Sequence, residues 1–309
     1  SWIAGIYVGL TVTAAIAFRM LGMDVFDAVC HAMTAISTGG FSTHDQSFGY
    51  FPQPGLHWAA TLTMLAGALP FALYIRMIRD GVADAIFQDT QARGFLILVL
   101  VTGLFLTVWL EARGAFGFSE ALRHAFFNVV SVITTTGFAS DDYQLWGALS
   151  SVFFLFLMFV GGCAGSTSGA IKVYRFQILG LVLLGQIRRL TSVHRVLVPT
   201  YGGRRLPPDV PVSILAFVAA YVGTIAIGSM LVGATGVDMV TALTATITAV
   251  TNVGPGLGDV VGPAGNFATL PDAAKWLLAV AMMLGRLELF TVLVLFDPEF
   301  WREGLSWTR

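Results

Sequence analysis

The sequence predicts an all-α membrane protein built from repeated helical units, and three observations lead to this prediction. The 309 residues are 56% hydrophobic and only 11% charged, whereas a soluble domain carries roughly 25% charged residues. Stretches of about 20 apolar residues, the length that crosses a bilayer, recur along the chain. Shorter apolar stretches that end in glycine lie between them. This composition excludes a soluble globule and a disordered chain, and a net charge of −1 excludes a nucleic-acid binder.

Six stretches are long and apolar enough to cross a membrane. Five are bounded by charge, proline or glycine, and one is about twice the required length. The six run from Trp2 to Met20, Trp58 to Ile78, Phe95 to Leu110, Leu145 to Leu184, Val212 to Ala234 and Ala274 to Phe296. We therefore predict a multi-pass protein of the cell membrane.

The long stretch from Leu145 to Leu184 is interrupted by small residues at positions 161–169, which are followed by Lys172. Backbone groups without hydrogen-bond partners are costly in hydrocarbon, so an irregular segment at membrane depth must be buried in protein or line a water-filled cavity. The sequence therefore predicts an interrupted helix. A plain loop that joins two short helices outside the membrane is the alternative interpretation.

Three shorter apolar stretches each follow a spanning helix and are too short to cross the membrane. They run from Val25 to Ser37, Glu120 to Thr134 and Val237 to Thr251. Each begins near an acidic residue and ends in a cluster of serine, threonine or glycine before the next span. This pattern predicts re-entrant half-helices, in which the chain enters the membrane and returns on the same side.

The ends of the half-helices share one motif. Gly40 lies in Ile-Ser-Thr-Gly-Gly-Phe, Gly137 in Thr-Thr-Thr-Gly-Phe and Gly254 in Thr-Asn-Val-Gly-Pro-Gly. The unit of spanning helix, half-helix, glycine loop and spanning helix therefore occurs three times. Periodicity on this scale indicates copies of one unit that assemble around an axis. We divide the chain into the units 1–92, 93–205 and 206–309.

The glycine loops have the composition that binding of a dehydrated cation requires. A potassium ion that leaves water needs oxygens in place of its hydration shell, and rings of backbone carbonyls supply them. Successive carbonyls point inward only if the backbone alternates between ordinary and left-handed conformations, which glycine adopts without steric cost. The neighbouring hydroxyls and the C-terminal end of each half-helix add negative partial charge. The predicted filter residues are Thr38, Gly39, Gly40, Thr135, Thr136, Gly137, Asn252, Val253 and Gly254.

A single loop of this kind is more typical of an ordinary glycine C-cap, but three in register favour the filter.

The positive charges predict the orientation of the chain in the membrane. Of the 17 Lys and Arg residues, only Arg19, Arg113, Arg123 and Lys275 fall on the face where the half-helices enter. That face is external by the positive-inside rule. Acidic residues are more frequent there and would attract cations, although translocated loops that merely lack Lys and Arg explain this excess equally well.

This combination of motifs resembles the Trk/Ktr/HKT superfamily of potassium transporters, and within it the TrkH-type uptake subunits. The resemblance rests on residues 39–45, 134–138, 161–167, 171–172, 252–258 and 285–288, and it extends over essentially the whole chain. The superfamily builds a pseudo-fourfold pore from four units, whereas this sequence supplies three. We expect the first unit to lie upstream of Ser1, so that our three units correspond to the second, third and fourth pore repeats, called repeats 2, 3 and 4 below.

The resemblance implies that residues 161–169 form an intramembrane gating loop and that Arg286 projects into the cavity beneath the filter. The predicted gate comprises Gly161, Gly162, Gly165, Ser166, Thr167, Gly169, Lys172 and Arg286. An ionisable residue within a span costs at least about 2.5 kcal/mol and normally faces a cavity or a partner. Arg286 and Glu288 cannot pair, because two residues apart on a helix they point to nearly opposite sides. Alternatives are that Arg286 ties two helices together through backbone carbonyls and that Lys172 extends to the cytoplasmic interface.

The predicted function is potassium uptake through a carbonyl-lined filter that is gated by the loop and the buried arginine, with potassium as the transported ion, no cofactor and no enzymatic activity. A sodium- or proton-coupled secondary transporter with a broken-helix midplane site is the alternative. That alternative explains the interrupted helix but not three half-helices of one orientation. The resemblance also implies a homodimer and a cytosolic nucleotide-binding ring of the TrkA type as partners. The basic segment 188–209 could bind that ring or anionic membrane lipids, or it could only set the orientation.

Overall fold

The structure is a computed structural model, and it describes residues 2–191, 200–287, 289–296, 298, 300 and 301. Almost all of its regular structure is helical, in agreement with the predicted all-α class. Glu288, predicted to share a helix with Arg286, lies outside the described residues. The described helices follow the order of spanning helix, half-helix, loop and returning helix in each repeat.

Repeat 2 contains five α-helices and one 3₁₀ turn among the described residues. They are α1 (Trp2–Met20), α2 (Val25–Ile36), the 3₁₀ turn Ser47–Tyr50, α3 (Pro54–Ala68), α4 (Phe71–Arg79) and α5 (Ala85–Gln88). The half-helix α2 starts where Asp24 caps it, because the Asp24 carboxylate accepts a hydrogen bond from the Asp27 N–H at 2.6 Å.

Repeat 3 begins with α6, whose first turn precedes the predicted repeat boundary at residue 93. Its elements are α6 (Thr90–Ala112), α7 (Phe118–Ile133), α8 (Ala148–Leu157), β1 (Val160–Gly161), β2 (Ile171–Lys172), α9 (Val173–Thr191), β3 (Thr200–Tyr201) and β4 (Arg204–Arg205). Helix α6 begins here because Asp89 is its N-cap and accepts a hydrogen bond from Ala92 N–H at 2.8 Å. The strands β1 and β2 pair in parallel, and β3 and β4 form an antiparallel hairpin.

Repeat 4 contains α10 (Asp209–Gly233), α11 (Met239–Thr251), α12 (Asp272–Arg286), α13 (Phe290–Leu293) and a 3₁₀ turn at Val294–Phe296. The half-helix α11 is capped like α2, with the Asp238 carboxylate accepting from Thr241 N–H at 3.0 Å. The continuous span predicted from Ala274 to Phe296 is wrong, because α12 ends at Arg286. Arg286 is therefore the last residue of α12.

Three described helices, α1, α6 and α10, are long and apolar enough to cross a membrane. The pair α3 and α4 would make a fourth span, but its two helices are bent by 92°. The C-terminal parts of the half-helices α7 and α11 lie inside the bundle, whereas α2 has one exposed face. Residues 127–136 and 244–251, at the C-terminal ends of α7 and α11, are buried without interruption, as expected of helix segments that are enclosed on every side.

The bend between α3 and α4 corrects the prediction of one continuous span from Trp58 to Ile78. Pro70 lies at the bend and has no N–H to donate to the carbonyl of Ala66, four residues earlier. The Tyr74 hydroxyl takes over this role and donates to the Ala66 carbonyl oxygen at 2.8 Å. The break is thus caused by proline, and one of the carbonyls it releases is satisfied locally.

The other released groups at this break bind the interrupted segment of repeat 3. The Gly67 carbonyl accepts hydrogen bonds from the Thr167 N–H at 3.2 Å and its hydroxyl at 3.0 Å. The Ala68 carbonyl accepts from Cys163 N–H at 3.0 Å, and Phe71 N–H donates to the Gly165 carbonyl at 3.0 Å. Each repeat therefore completes the broken backbone of the other, as burial of irregular backbone requires.

Replacement of Tyr74 by phenylalanine should lower the free energy of unfolding by about 1 kcal/mol, because the partly buried Ala66 carbonyl would lose its donor. Thermal unfolding of the purified protein in detergent measures this change. Tyr7→Phe is the matched control, since the Tyr7 ring stacks on Phe71 and its hydroxyl makes no hydrogen bond within the described residues. Equal melting temperatures for Tyr74→Phe and the control would contradict the assignment.

Candidate functional site

Loop residues from all three repeats line one cavity of about 670 Å³. The predicted filter residues that line it are Thr38, Gly39, Gly40, Thr136, Gly137, Asn252, Val253 and Gly254. Thr135 does not line it and is fully buried behind the loop of repeat 3. Eight of the nine predicted residues are therefore brought together, although the outer two loops are more than 200 residues apart in the sequence.

Adjacent loops meet through a glycine of one repeat and a carbonyl of the next. A methyl group on Gly40 would lie 1.7 Å from the carbonyl oxygen of Thr136. A methyl group on Gly137 would lie 1.9 Å from the carbonyl oxygen of Val253. Only glycine fits at these two positions, and the contact runs continuously from repeat 2 through repeat 3 to repeat 4.

The backbone of the three loops alternates between ordinary and left-handed conformations. Positive φ angles occur at the glycine and two residues before it, with values of 49° at Thr38, 67° at Gly40, 56° at Thr135, 87° at Gly137, 58° at Asn252 and 111° at Gly254. For a β-branched residue such as Thr135 a positive φ is unusual and strained. Strain of this kind persists where the surrounding structure enforces it, often at functional sites. The alternation is the conformation that inward-facing carbonyls require.

The threonine hydroxyls of the loops make local bonds and bonds to other segments. Thr38 donates to the Ser37 carbonyl at 2.8 Å, and the hydroxyls of Thr134 and Thr136 bond each other at 2.7 Å. The Thr135 hydroxyl accepts a hydrogen bond from Gly169 N–H at 2.6 Å. These bonds orient the hydroxyls, and each hydroxyl oxygen has further acceptor capacity, because it carries two lone pairs.

The interrupted segment, residues 161–169, closes on itself at its base. Gly161 pairs with Lys172 in the β1–β2 ladder, and Gly162 N–H donates to the Ser168 hydroxyl at 2.8 Å. A methyl group on Gly161 would lie 2.1 Å from the Gly169 carbonyl oxygen. The glycines allow this approach, so the segment forms a narrow loop whose ends are held together.

The tip and base of this loop contact the inner ends of all three half-helices. The Thr167 hydroxyl donates to the carbonyl of Ile36, the last residue of α2, at 2.9 Å. Gly169 N–H binds the Thr135 hydroxyl beside the end of α7. A methyl group on Gly169 would lie 2.9 Å from the carbonyl of Thr251, the last residue of α11. The interrupted segment is packed inside the bundle, directly against the predicted filter.

Two positive charges accompany this segment. Lys172 is 9% exposed, and its ammonium group donates to the Ser168 carbonyl instead of extending to the membrane interface. Arg286 lines both the cavity of the three loops and a second cavity of about 380 Å³ that residues 164–170 and Lys172 also line. Arg286 therefore lies between the filter loops and the interrupted segment. Glycine at position 285 is required beside it, because a methyl group there would lie 1.8 Å from the Val250 carbonyl.

Three hydroxyl residues behind the loops are not among the predicted site residues. Thr34, Ser131 and Thr248 contact the loop backbone from the last turns of α2, α7 and α11. The signal that could have identified them is their register, since each lies six residues before the predicted filter glycine of its repeat.

Comparison with known proteins places these features in a family. The family model of TrkH, described as cation transport protein, matches residues 2–303. The Trk system potassium uptake protein TrkI of Halomonas elongata is 51% identical over 299 residues, which are 96% of this chain and 60% of the relative. The Trk system potassium uptake protein TrkH of Escherichia coli K12 is 37% identical over 303 residues, which are 96% of this chain and 61% of the relative.

A solved structure gives the same result. The crystal structure of the potassium transporter TrkH from Vibrio parahaemolyticus matches with a TM-score of 0.91 and 35% sequence identity, and the match includes 96% of this chain and 63% of the other. This match confirms the predicted fold class. The chain spans about three fifths of the length of the curated relatives that it matches.

Proposed function

Because the chain belongs to the TrkH family of cation transport proteins, we propose that it forms the larger part of a pore for potassium uptake across a bacterial inner membrane. Its three glycine loops would contribute three sides of an ion filter with pseudo-fourfold symmetry. The relatives are named as potassium uptake proteins, which supports potassium as the transported ion and ion transport rather than enzymatic catalysis.

The observation that supports this proposal most is the convergence of the three loops on one cavity. The backbone alternates in φ, and the carbonyl oxygens of Thr136 and Val253 lie against the glycine of the preceding repeat, at the cavity that the three loops line. Oxygens arranged in this way can replace the hydration shell of a potassium ion. The half-helices end at the same place, so their C-terminal partial negative charges favour a cation there.

We propose that residues 161–169 obstruct the inner exit of this filter. Support comes from their contacts with the ends of all three half-helices. Arg286 lies on the same path and lines the cavities on both sides of it. A fixed positive charge in a low-dielectric passage repels a cation, so Arg286 would raise the barrier while the segment is in place. The bond from Lys172 to Ser168 would hold the segment in this position.

The arrangement of the half-helices favours a pore over a coupled transporter with inverted repeats. All three half-helices direct their C-terminal ends to the same segment, whereas inverted repeats would bring half-helices in from opposite sides. The partners remain proposals that rest on the family. We propose a homodimer and a cytosolic nucleotide-binding ring of the TrkA type, with the exposed arginines of β4 as part of the basic cytoplasmic face.

Expression of the complete gene in bacteria that lack potassium uptake systems tests the function. We expect growth at low external potassium and uptake of rubidium, with potassium competing for rubidium uptake and excess sodium competing poorly. Removal of the sodium gradient should leave uptake intact. Failure to restore growth by a protein that is present in the membrane would contradict the proposal, and strict dependence on sodium would favour the coupled transporter.

A further inference from the structure

A hydroxyl residue stands behind each filter loop in the same register. Thr34, Ser131 and Thr248 lie six residues before Gly40, Gly137 and Gly254, respectively. Ser131 and Thr248 are buried, with exposures of 0% and 1%, and Thr34 is partly buried. Their position in the last turn of each half-helix leaves both the side chain and the backbone carbonyl directed at the loop that follows.

The backbone carbonyls of these residues accept hydrogen bonds from N–H groups in the first half of each loop. The Thr34 carbonyl accepts from Gly39 N–H at 2.8 Å and from Gly40 N–H at 3.3 Å. The Ser131 carbonyl accepts from Thr136 N–H at 2.9 Å and Gly137 N–H at 3.3 Å. Each loop is thus fastened to the end of its own half-helix.

These bonds determine where the loop carbonyls point. In a trans peptide the N–H and the preceding C=O point in opposite directions. When Gly137 N–H faces Ser131 in the half-helix, the Thr136 carbonyl must therefore face away from that helix. The contact between the Thr136 oxygen and the position of Gly40 agrees with this geometry. The orientation of a filter carbonyl is thus set by the hydrogen bond on the other edge of the same peptide.

In repeats 2 and 3 the hydroxyls of Thr34 and Ser131 bind the C-terminal end of the loop. The Thr34 hydroxyl donates to the Phe41 carbonyl at 2.8 Å, and the Ser131 hydroxyl donates to the Phe138 carbonyl at 2.6 Å. Both carbonyls belong to the residue that follows the filter glycine. The hydroxyl and the carbonyl of a single residue therefore hold the two ends of the glycine turn.

In repeat 4 the hydroxyl acts directly on the filter peptide. The Thr248 hydroxyl accepts a hydrogen bond from Gly254 N–H at 2.8 Å, and its carbonyl accepts from Val253 N–H at 3.2 Å. By the same peptide geometry, the bond to Gly254 directs the Val253 carbonyl away from α11. That carbonyl oxygen is the one against Gly137. In repeat 4 the Thr248 hydroxyl therefore accepts the N–H of the loop glycine, whereas in repeats 2 and 3 the backbone carbonyls of Thr34 and Ser131 accept it.

We propose that Thr34, Ser131 and Thr248 are positioning residues that set the orientation of the filter carbonyls, with Thr248 acting on the Val253 carbonyl through Gly254 N–H. The proposal rests on the proposed function of the loops as a potassium filter. It assigns ion selectivity in part to three side chains that do not line the filter cavity and act through the backbone. Thr248 has the largest role, because its side chain is the acceptor for a filter N–H.

Thr248→Val tests this assignment, because valine has nearly the same shape and cannot accept the hydrogen bond. Without an acceptor the Gly254 N–H is left unsatisfied, and the Val253 carbonyl loses its fixed direction. We expect the ratio of rubidium to sodium uptake to fall about tenfold, the change that one lost buried hydrogen bond produces. Thr248→Ser keeps the hydroxyl and should restore most of the ratio.

The matched control is Thr246→Val on the same half-helix. Thr246 is fully buried, but its hydroxyl donates to the Ala242 carbonyl within α11 at 2.8 Å, away from the filter. This variant should keep the wild-type uptake ratio. An unchanged ratio in Thr248→Val, or an equal fall in Thr246→Val, would overturn the proposal.

A second pair of variants keeps the test decisive if Thr248→Val fails to reach the membrane. Ser131→Ala removes the bond to the Phe138 carbonyl, and Ser131→Thr supplies the hydroxyl residue that the other two repeats have. We expect the uptake ratio to fall in the alanine variant and to recover in the threonine variant. Wild-type protein that takes up no rubidium would refute the proposed function, whereas rubidium uptake with an unchanged ratio in Ser131→Ala would refute only the positioning role.

Discussion

Replacement of Gly40 or Gly137 by alanine is expected to reduce rubidium uptake to the background of cells without the transporter. The added methyl group would lie 1.7 Å from the Thr136 carbonyl oxygen in one case and 1.9 Å from the Val253 carbonyl oxygen in the other. A left-handed conformation also costs an alanine about 1–2 kcal/mol relative to glycine. Because the overlapping atoms belong to the backbone of the loops, the overlap can be relieved only by moving the carbonyls that we propose bind the ion.

Two further glycine variants separate overlap from backbone strain. Gly254 has a φ of 111°, but a methyl group there would meet only the Gly137 Cα at 3.8 Å, so Gly254→Ala tests strain with little overlap. Gly180 in α9 has open space around it, so Gly180→Ala introduces neither overlap nor backbone strain and is the control. We expect uptake to fall least in Gly180→Ala, more in Gly254→Ala and most in the other two variants. Near-normal uptake in Gly137→Ala at a normal membrane level would contradict the contact between repeats 3 and 4.

Shortening the interrupted segment is expected to raise potassium flux about tenfold or more, because it would remove the proposed obstruction beneath the filter. Residues 164–167 are the best choice for deletion. Gly162 N–H binds the Ser168 hydroxyl at 2.8 Å, so the two ends of the segment lie close together. The initial rate of rubidium uptake per transporter in the membrane measures the effect.

A point variant provides the control for this deletion. Thr167→Val keeps the length of the segment but removes the hydroxyl bonds to the carbonyls of Ile36 and Gly67. We expect it to raise flux by a smaller factor, because the segment would be loosened but still present. Unchanged or lower flux in a deletion variant that is correctly inserted would count against the segment as a barrier.

The elements that depend on short-range interactions are predictable from the sequence. The observed half-helices begin and end within two residues of the predicted limits. Acidic caps such as Asp24 and Asp238 explain where they begin, and the glycine motifs explain where they end. The positive φ angles at Gly40, Gly137 and Gly254 also follow from residue type. Each of these features depends on residues only a few positions apart.

The breaks in the helices are not predictable from the sequence alone. A single proline in the apolar stretch around Pro70 does not by itself distinguish a kink from a bend of 92°. The bend is stable because Cys163 and Thr167, about 100 residues further along the chain, bind the released carbonyls of Gly67 and Ala68. The end of α12 at Arg286 was likewise not apparent from a stretch whose apolar composition continues to Phe296.

The sequence by itself determined the repeated helical units, the half-helices and the glycine at the end of each, because apolar length, helix caps and φ preference are properties of neighbouring residues. Only the tertiary structure decided which carbonyl contacts which glycine. It also decided that the interrupted segment of repeat 3 donates hydrogen bonds to the backbone carbonyls released at the α3–α4 break of repeat 2. The physical reason is that backbone groups released from a helix in an apolar environment must find partners. In this protein those partners are supplied by residues far away in the sequence.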